Sequence, residues 1–462
     1  MEVSCLPEEL LEHILSYLSV VCELQTSSQV CLQWRKICVS IYRLKHSLFL
    51  DQAQKGNFVW RQCGEVKRAR SLHFVPKHVK PRNSAQQLGM PAPRSFHHAA
   101  FHGQYIYVYG GESGGTALAS SSYFNDMFRY NVLLQSWEKV STTGTPPTPR
   151  SKVSVTRVED TLIVTGGCVS TRLRTSIRPA EIVHDDVHFF DIGRSLWYKS
   201  PGSLLNIRCY HESICLGDST KLVLSGGFSS VVDMCDAIEV CNLKRDLNSG
   251  LYAVSESRRF QFQHLRIFHS QVKIDEQTLL IYGGMTQAPD LTSQHLIRTD
   301  ACLIKFNDNF SDFQLTSIVV NNWDVYNGLY PAFVNDFARV QNSLIFFQRS
   351  GYIKKVPDHG QNLNFYEADT IRKPTGDEIY RQDYYHTFIL NFDGILENNS
   401  ISWMPVTKNP PLLAPRYSIF HRTILVGDGI YVFGGTVLDQ RSKQPSSSNN
   451  LYKITVMKGP AQ

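Results

Sequence analysis

Arginines recur at regular intervals along this chain of 462 residues, each near the start of a predicted strand. Guanidinium groups bind carboxylates and phosphates in a bidentate geometry, so a set of them is suited to an anionic partner. We expect the set to surround the mouth of a central channel and to contact a substrate; it consists of Arg94, Arg150, Arg208, Arg266 and Arg416. The alternative is that they are buried donors to the backbone of their own repeats.

Histidines recur beside the arginines, at His98, His211, His269 and His421. Imidazoles could hold a metal, but no carboxylate or cysteine recurs with them at ligand spacing. The eleven cysteines of the chain include no CxxC pair, which argues against zinc ribbons. We therefore predict that these histidines serve the core, and we predict no metal, no cofactor and no catalytic residue.

The elements that position these side chains form a repeat. An apolar strand ending in Gly-Gly recurs, with doublets beginning at residues 110, 166, 226, 283 and 434. The intervals are 56, 60, 57 and 151 residues, and the last leaves room for one further unit, which we place at 337–348. Glycine tolerates the positive φ that a sharp strand end requires. Six units are predicted, and the fifth is degenerate because it lacks the doublet.

Outer strands ending near a tryptophan follow several doublets, as at Trp137 and Trp197. Only three strands are predicted for the sixth unit. Residues 57–61, which include Trp60, fit the missing outer strand. We predict that this segment pairs with Leu451–Val456. The predicted divisions are a helical module at 1–50, a closing strand at 51–62, a basic connection at 63–93 and six repeats at 94–462.

The doublets, aromatic positions and tryptophans resemble kelch repeats. That resemblance implies a fold class of α plus all-β, with a six-bladed kelch β-propeller of four-stranded blades. The variable segments then share one face of the propeller and the short turns lie on the other. Long loops on a rigid scaffold are the usual site of recognition. Here they are 63–93, 112–122, 168–184, 285–299, 351–383 and 436–449.

Residues 5–50 differ from the repeats, because leucines and isoleucines fall at helical intervals from Leu6 to Leu18. The Leu-Pro-Glu-Glu-Leu-Leu start and the later Val-Cys-Leu-Gln-Trp-Arg stretch resemble the F-box. In that family these positions bind the adaptor Skp1. The resemblance therefore implies Skp1 binding for Leu6, Pro7, Leu10, Leu11, Ile14, Leu15, Leu18, Val30, Cys31 and Trp34. Some of these, especially Leu15 and Trp34, could instead form the core of the module itself.

Charge and composition narrow the class of protein. The chain has 42% apolar and 19% charged residues, which suits folded domains, and its net charge is only +6. No secretory signal or membrane span is apparent, so we expect a cytoplasmic or nuclear protein. Basic and aromatic residues occur without a nucleic-acid recognition motif, so nucleic acid is an unlikely partner.

The surplus of positive charge is local. Residues 66–111 contain seven basic and no acidic residues, a local +7, whereas the rest of the chain sums to −1. Lys67, Arg68 and Arg70 begin this stretch. It is either a solvated linker or nuclear-import run, or a binding element for an acidic or phosphorylated partner.

The order of F-box and kelch units resembles F-box/kelch proteins. This implies the substrate-recognition subunit of a Skp1-cullin-F-box ubiquitin ligase, which acts through a cullin and a RING subunit. The alternative is a kelch interaction scaffold that works outside a ligase. An enzyme built on a propeller is disfavoured, because no acid pair or sialidase-type box stands out.

Overall fold

The computed structural model describes most of the chain, and the ranges below are those to which every structural statement applies. They are 8–16, 27, 32–63, 89–114, 122–171, 180–229, 233–287, 295–322, 325–326, 329–331, 334–348, 350–355, 365–368, 385–407, 415–416, 418–438 and 445–456.

In the described part of the chain, α1 (Glu8–Ser16) and α2 (Leu32–Gln54) precede the strands. The apolar residues of α1 recur every three or four positions, so one side of the helix is apolar and packs on the first half of α2. The buried cluster between the helices consists of Leu11, Leu15, Ile37, Cys38 and Ile41, with Trp34 at its edge. This cluster is the small core of the N-terminal module.

The strands of the first half of the chain form the closing segment and units 1 to 3. They are β1 (Phe58–Cys63); β2 (His98–His102), β3 (Tyr105–Tyr109), β4 (Glu112–Ser113), β5 (Ser122–Tyr123), β6 (Met127–Asn131) and β7 (Ser136–Lys139) in unit 1; β8 (Thr143–Gly144), β9 (Ser154–Val158), β10 (Thr161–Thr165), β11 (Cys168–Thr171), β12 (Ala180–Val183), β13 (Val187–Asp191) and β14 (Leu196–Lys199) in unit 2; and β15 (Glu212–Leu216), β16 (Lys221–Ser225), β17 (Ala237–Arg245) and β18 (Tyr252–Gln261) in unit 3.

The second half of the chain supplies units 4 to 6. They comprise β19 (Ser270–Lys273), β20 (Thr278–Tyr282), β21 (Met285–Gln287), β22 (His295–Arg298), β23 (Ala301–Phe306) and β24 (Phe313–Asn321) in unit 4; β25 (Leu329–Pro331), β26 (Ala338–Val340), β27 (Ser343–Gln348), β28 (Ser350–Lys355), β29 (Phe365–Ala368), β30 (His386–Asn391), the short helix α3 (Ile395–Asn398) and β31 (Ser400–Met404) in unit 5; and β32 (Arg422–Val426), β33 (Gly429–Phe433), β34 (Thr436–Leu438), β35 (Pro445–Ser447) and β36 (Leu451–Val456) in unit 6.

Each unit contains a four-stranded antiparallel sheet. The strand orders are β2-β3-β6-β7, β9-β10-β13-β14, β15-β16-β17-β18, β19-β20-β23-β24, β26-β27-β30-β31 and β32-β33-β36-β1. The outer strands β24 and β31 pair in parallel, so units 4 and 5 share one eight-stranded sheet. The segments after the doublets form smaller hairpins, and β21, β22, β29, β28 and β25 join into a five-stranded sheet.

The units follow one another in a circle. Buried apolar clusters join unit 1 to 2, 2 to 3, 3 to 4, 4 to 5 and 5 to 6, and a further cluster joins unit 6 back to unit 1. Every sheet therefore buries both faces against its neighbours, as a propeller-like ring requires. The fold is mostly β, with a short helical module at the N-terminus.

The last sheet pairs the first strand of the chain with the last strand. Strand β1 runs antiparallel to β36, with Phe58 opposite Val456 and Cys63 opposite Leu451. The segment predicted at 51–62 is therefore divided, because residues 51–54 still belong to α2 and the strand begins at Phe58. Helix α2 extends beyond residue 50, where the predicted module ends, to Gln54. Its last turn packs on the ring.

Aromatic contacts explain where the tryptophans occur. In four units an outer-strand tryptophan packs on an aromatic residue near the end of the preceding unit's second strand. The ring centroids are 4.9 Å apart for Trp137 and Phe433, 5.0 Å for Trp197 and Tyr109, 5.8 Å for Trp403 and Tyr282, and 5.3 Å for Trp60 and Phe347. Trp60 thus occupies in unit 6 the place that Trp137 occupies in unit 1.

Units 3 and 4 lack the tryptophan, and their joints are built differently. The residue before the preceding doublet is Thr165 or Ser225 instead of an aromatic residue. The hydroxyl of Thr165 lies 2.8 Å from His211 Nε2, and that of Ser225 lies 2.8 Å from His269 Nε2. A hydroxyl-histidine contact therefore takes the place of the aromatic contact at these two joints.

Candidate functional site

The N-terminal module presents apolar side chains to solvent on one side of α1. Leu10 and Ile14 are 45% and 46% exposed, although the next residues, Leu11 and Leu15, are only 2% and 1% exposed. Positions four apart on a helix share a side, so Leu10 and Ile14 form one apolar surface. Leu11 and Leu15 belong to the module's own core, which is the alternative that the sequence left open for Leu15.

Helix α2 adds apolar side chains that the sequence analysis did not name. Leu32 is 75% exposed and Val39 is 42% exposed, and their spacing of seven places them on one side of the helix. Trp34 is half-buried against the module's core. The remaining predicted Skp1-binding residues, Leu6, Pro7, Leu18, Val30 and Cys31, lie outside the described residues.

The second half of α2 packs on the ring. Phe49 and Ala53 are buried in the cluster between units 5 and 6, together with Phe58 of the closing strand. Because this half of the helix is part of the core of the ring, the module and the ring share one continuous helix. That arrangement holds the module in a fixed orientation.

Hydrogen bonds show on which side of the ring the module emerges. Gln341 Nε2 donates to the carbonyl of Arg43 at 2.9 Å, and a ring nitrogen of His46 lies 3.2 Å from the carbonyl of Gly427. Gln341 and Gly427 lie in the short turns β26–β27 and β32–β33. The module therefore emerges on the short-turn face, opposite the doublets and the hairpins that follow them, which form the loop face.

Four of the five predicted substrate-binding arginines are buried. Arg94, Arg150, Arg208 and Arg266 are 0–1% exposed. In each, Nη1 donates to the carbonyl of the first glycine of its own unit's doublet, at 3.0 Å to Gly110, 3.1 Å to Gly166, 3.4 Å to Gly226 and 3.2 Å to Gly283. Side chains with so little exposure cannot contact a substrate, so these four take the structural role that was the alternative.

A carboxylate partner completes each of the four sites. Arg94 lies 2.8 Å from Asp126, Arg208 lies 3.1 Å from Glu239, Arg266 lies 3.0 Å from Asp300, and Arg150 is bonded to both oxygens of Asp186. The acid stands just before the third strand of the unit or within it. Each pair thus links the segment before the first strand of a sheet to the third strand of the same sheet, beneath the loop face.

Burial and pairing act in opposite directions on these carboxyls. Burial alone would raise the pKa of Asp186, but hydrogen bonds from His188 and Arg150 outweigh it and hold that pKa well below its usual range. Asp300 behaves in the same way beside Arg266 and Arg298, and its pKa is lowered. For Glu239, which is fully buried, burial raises the pKa and the charge of Arg208 only partly offsets it.

Arg416 does not belong to this set, so the sequence assigned the wrong residue in unit 6. It is exposed, and the position equivalent to Arg94 is held by Ser418, whose hydroxyl donates to the carbonyl of Gly434 at 2.9 Å. The β-bridge of Ile419 with Thr436 matches the bridge of Ser95 with Glu112 and fixes this alignment. The sequence pattern was misassigned because Arg416 is a basic residue two positions before the true repeat position, Ser418.

The histidine assignment also needs one correction. The residue equivalent to His211 and His269 in unit 1 is His97, because each of these directly precedes the inner strand of its unit. His98 is the first residue of that strand. His421 contacts the Ser418 carbonyl at 2.9 Å and Asp336 at 2.9 Å. Among the described residues, no group of three potential ligands could hold a metal.

A small cavity of about 30 Å³ lies on the axis of the ring. Its lining includes Glu212, Asn335, Asp336 and Arg422. Burial raises the pKa of Glu212 to about 7, while the charge of Arg422 and a hydrogen bond with Asn335 oppose that rise. Glu212 thus titrates near neutral pH, a property that no sequence motif indicated.

The basic segment that begins with Lys67, Arg68 and Arg70 lies outside the described residues. Within the described part of the chain, no helix is both long and apolar enough to cross a bilayer.

Family models match both the N-terminal helical module and the first part of the ring. Residues 3–51 match a family model described as F-box-like, and residues 77–284 match one described as the KLHDC2/KLHL20/DRC7 Kelch-repeats domain. Neither model describes a catalytic domain, and both kinds of domain are typical of non-catalytic adaptor proteins.

Relatives match only a part of the chain. Kelch domain-containing protein 1 of Mus musculus is 28% identical over 40% of this chain and 48% of its own length. The Rho GTPase-activating protein gacHH of Dictyostelium discoideum is 26% identical over 38% of this chain, and the Ras guanine nucleotide exchange factor F of the same organism is 28% identical over 28%. The matched part covers 10% of each of these last two proteins.

A solved structure titled "Structure of YjhT" is similar to 80% of this chain and 99% of its own, with 11% identity and a TM-score of 0.46. The F-box-like match coincides with α1 and most of α2, and the kelch match covers units 1 to 3 and the start of unit 4. The chain therefore carries an F-box-like module followed by a kelch-repeat domain.

Proposed function

We propose that this chain is the substrate-recognition subunit of an SCF-type ubiquitin ligase. The F-box-like module binds Skp1, and the kelch domain binds the protein to be ubiquitinated. The observation that carries the proposal is the apolar surface of Leu10 and Ile14, which stays exposed although the neighbouring Leu11 and Leu15 are buried against α2. An exposed apolar surface on so small a module marks a site of protein association.

In this proposal the six four-stranded units are the blades of one closed six-bladed propeller. The cluster that joins unit 6 to unit 1 and the pairing of β1 with β36 support closure. The order of the units resembles the F-box only protein 42 group of F-box/kelch proteins, and membership of that group is part of the proposal.

The positions of the two binding regions suit an adaptor. The module emerges on the short-turn face, whereas the doublets and the hairpins that follow them lie on the loop face. Skp1, a cullin and a RING subunit would then assemble on one side of the ring and the substrate on the other. Ubiquitin transfer is the work of the other subunits, so this chain needs no catalytic residue. We place the complex in the cytoplasm, the nucleus or both.

The substrate side of the proposal rests on charge. The segment from Lys67 to Arg82 carries six positive charges and no negative charge, and it precedes Arg94 in the chain. We propose that it binds an acidic or phosphorylated segment of the substrate. Affinity should then fall about ten-fold or more between 50 and 300 mM salt, because screening weakens exposed charge pairs. Titration at several salt concentrations measures this, and an affinity independent of salt would leave the segment as a linker.

Reconstitution tests the ligase role. The purified chain is mixed with Skp1, a cullin and a RING subunit, and the complex is analysed by size-exclusion chromatography and ubiquitin transfer. We expect all four proteins to elute together. Binding of Skp1 without the cullin would support the alternative, a kelch scaffold that acts outside a ligase. Failure to bind Skp1 would contradict the proposal.

A further inference from the structure

Two threonine-proline pairs lie in the connection between units 1 and 2. The whole sequence contains three pairs in which a serine or threonine precedes a proline: Thr145-Pro146, Thr148-Pro149 and Ser200-Pro201. A proline disfavours helical backbone at the residue before it, so each hydroxyl residue is biased towards an extended conformation. Proline-directed protein kinases bind their acceptor in that conformation. The surroundings of each hydroxyl decide which of the three is accessible to such an enzyme.

The structure distinguishes the three hydroxyl residues by their accessibility. Ser200 is only 3% exposed, and its hydroxyl accepts a hydrogen bond from the amide of Val254 at 3.1 Å. Thr145 is exposed, but its amide donates to the carbonyl of Trp197 at 3.0 Å and continues the pairing of β8 with β14. Thr148 is exposed and lies beyond β8, between two prolines. A kinase can therefore bind the backbone of Thr148 without breaking a strand pair.

The hydroxyl of Thr148 contacts the buried arginine of unit 2. Nη2 of Arg150 donates to Thr148 Oγ1 at 2.7 Å, and Nε donates to the carbonyl of the same threonine at 3.0 Å. The carbonyl contact is common to the repeat, because Nε of Arg94 donates to the carbonyl of Ala92 at 3.1 Å in unit 1. The hydroxyl contact is an addition in unit 2, since alanine has no hydroxyl.

The other N–H groups of Arg150 are all in use. A guanidinium has five of them, and the remaining three donate to the carbonyl of Gly166 at 3.1 Å and to both carboxylate oxygens of Asp186. The side chain of Asp186 is only 13% exposed, so it has little freedom to turn towards solvent. An anion placed on Thr148 therefore gains more than its present contact with Arg150 only at the expense of Asp186.

We propose that Thr148 is a phosphorylation site for a proline-directed protein kinase, and that its phosphate competes with Asp186 for Arg150. The γ-phosphoryl group of ATP is transferred to Thr148 Oγ1, so a new O–P bond forms, the bond from the γ-phosphorus to the bridging oxygen breaks and ADP leaves. The hydroxyl proton passes to a carboxylate of the kinase.

The modification changes the charge at a link within unit 2. A phosphate adds a charge of about −1.5 to −2 and is disruptive beside a carboxylate, because like charges repel. Arg150 and Asp186 join the segment before β9 to β13, so competition for Arg150 loosens unit 2 where it meets unit 1. This regulation is a property of the ring and does not depend on the proposed ligase role.

The test uses the purified full-length chain, MgATP and a mitogen-activated protein kinase as the probe, with mass spectrometry to identify the modified residues. The variant is Thr148→Ala, which keeps the fold because Ala92 holds the equivalent position in unit 1. The matched control is Thr145→Ala, which removes the other exposed threonine that precedes a proline. Ser200 is an internal control, because phosphate on this buried residue would report unfolded chains.

We expect phosphate on Thr148 in the wild type and in Thr145→Ala, loss of most of the incorporation in Thr148→Ala, and none on Ser200. The phosphorylated wild type should unfold at least about 2 °C below the unmodified chain. Kinase treatment should leave the unfolding temperature of Thr148→Ala unchanged. A chain without phosphate on Thr148, phosphate on Ser200 to the same extent, or an unchanged or raised unfolding temperature after modification would each overturn the proposal.

Discussion

Arg208 and Arg416 illustrate how the surroundings decide the role of a side chain. Both look alike as basic residues near the start of a predicted strand, but Arg208 is 0% exposed and Arg416 is exposed. Arg208 is paired with Glu239, which is also fully buried. Removing one member of a buried pair leaves the other charge without compensation.

We predict that Arg208→Met lowers the free energy of unfolding by about 3–5 kcal/mol. Arg416→Met is the control and should change it by less than about 0.5 kcal/mol. Urea unfolding followed by circular dichroism measures both. Equal effects of the two substitutions would show that Arg208 does not hold unit 3 together.

Glu212 gives a prediction about pH. Its pKa is raised from 4.5 to about 7, so the folded protein keeps this proton at pH values where the unfolded chain has lost it. The free energy of unfolding therefore falls as the pH rises from about 4.5 to about 7, and the whole loss is present above that range. Glu212→Gln should remove this loss of stability.

The stability gained by Glu212→Gln should be small at pH 5 and reach about 1–3 kcal/mol at pH 8. Burial lowers the pKa of His97 and His211, so both reduce stability below about pH 6.5, but they do so equally in the two proteins. Urea unfolding at several pH values gives the difference. A gain that is constant with pH would contradict the assignment.

At the scale of elements, the closing strand and the second half of α2 act as one unit. Phe49 and Ala53 of the helix and Phe58 of the strand share a buried cluster with unit 5 and unit 6. Without β1, the sheet of unit 6 would expose the edge of β36 and lose the contact of Trp60 with Phe347.

We predict that a chain beginning at Gly89, which lacks α1, α2 and β1, unfolds at least about 10 °C below the full chain. A chain beginning at Arg43 keeps the buried half of α2 and the closing strand. It should stay within about 3 °C of the full chain. Differential scanning calorimetry compares them, and equal stability of the two truncated chains would mean that β1 does not close the ring.

Sequence patterns predicted these elements where the signal is local. The Gly-Gly doublets and the helical spacing of leucines depend on backbone conformation and burial within one segment, so they can be recognised without the structure. The role of Trp60 could also be predicted, because one unit lacked its outer strand. The joints at Thr165 and Ser225 could not, since they depend on partners 46 and 44 residues away.

The candidate site was harder to predict. The contrast between Leu10 and Leu11 depends on which side of α1 packs on α2, and apolar spacing alone does not define that side. The exchange of Arg416 for Ser418 and of His98 for His97 arose from offsets of one or two residues, which only the strand register resolves.

At the scale of the whole molecule, the central claim is that the module and the ring bind different partners on opposite faces. Helix α2 holds both parts in one rigid arrangement, with its first half in the module's core and its second half in the ring's core. Binding of Skp1 should therefore depend on the exposed side of α1 and leave the ring unchanged.

The most direct measurement is the affinity for Skp1 of a chain with Leu10→Asp and Ile14→Asp, determined by calorimetry beside the wild type. The control carries Leu133→Asp and Leu134→Asp, which replace leucines that are 51% and 75% exposed in the β6–β7 turn. We predict that the α1 variant loses binding by at least about 100-fold, because charges would enter a dry apolar interface, while its unfolding temperature and the control's affinity stay unchanged. Full binding by the α1 variant would contradict the account.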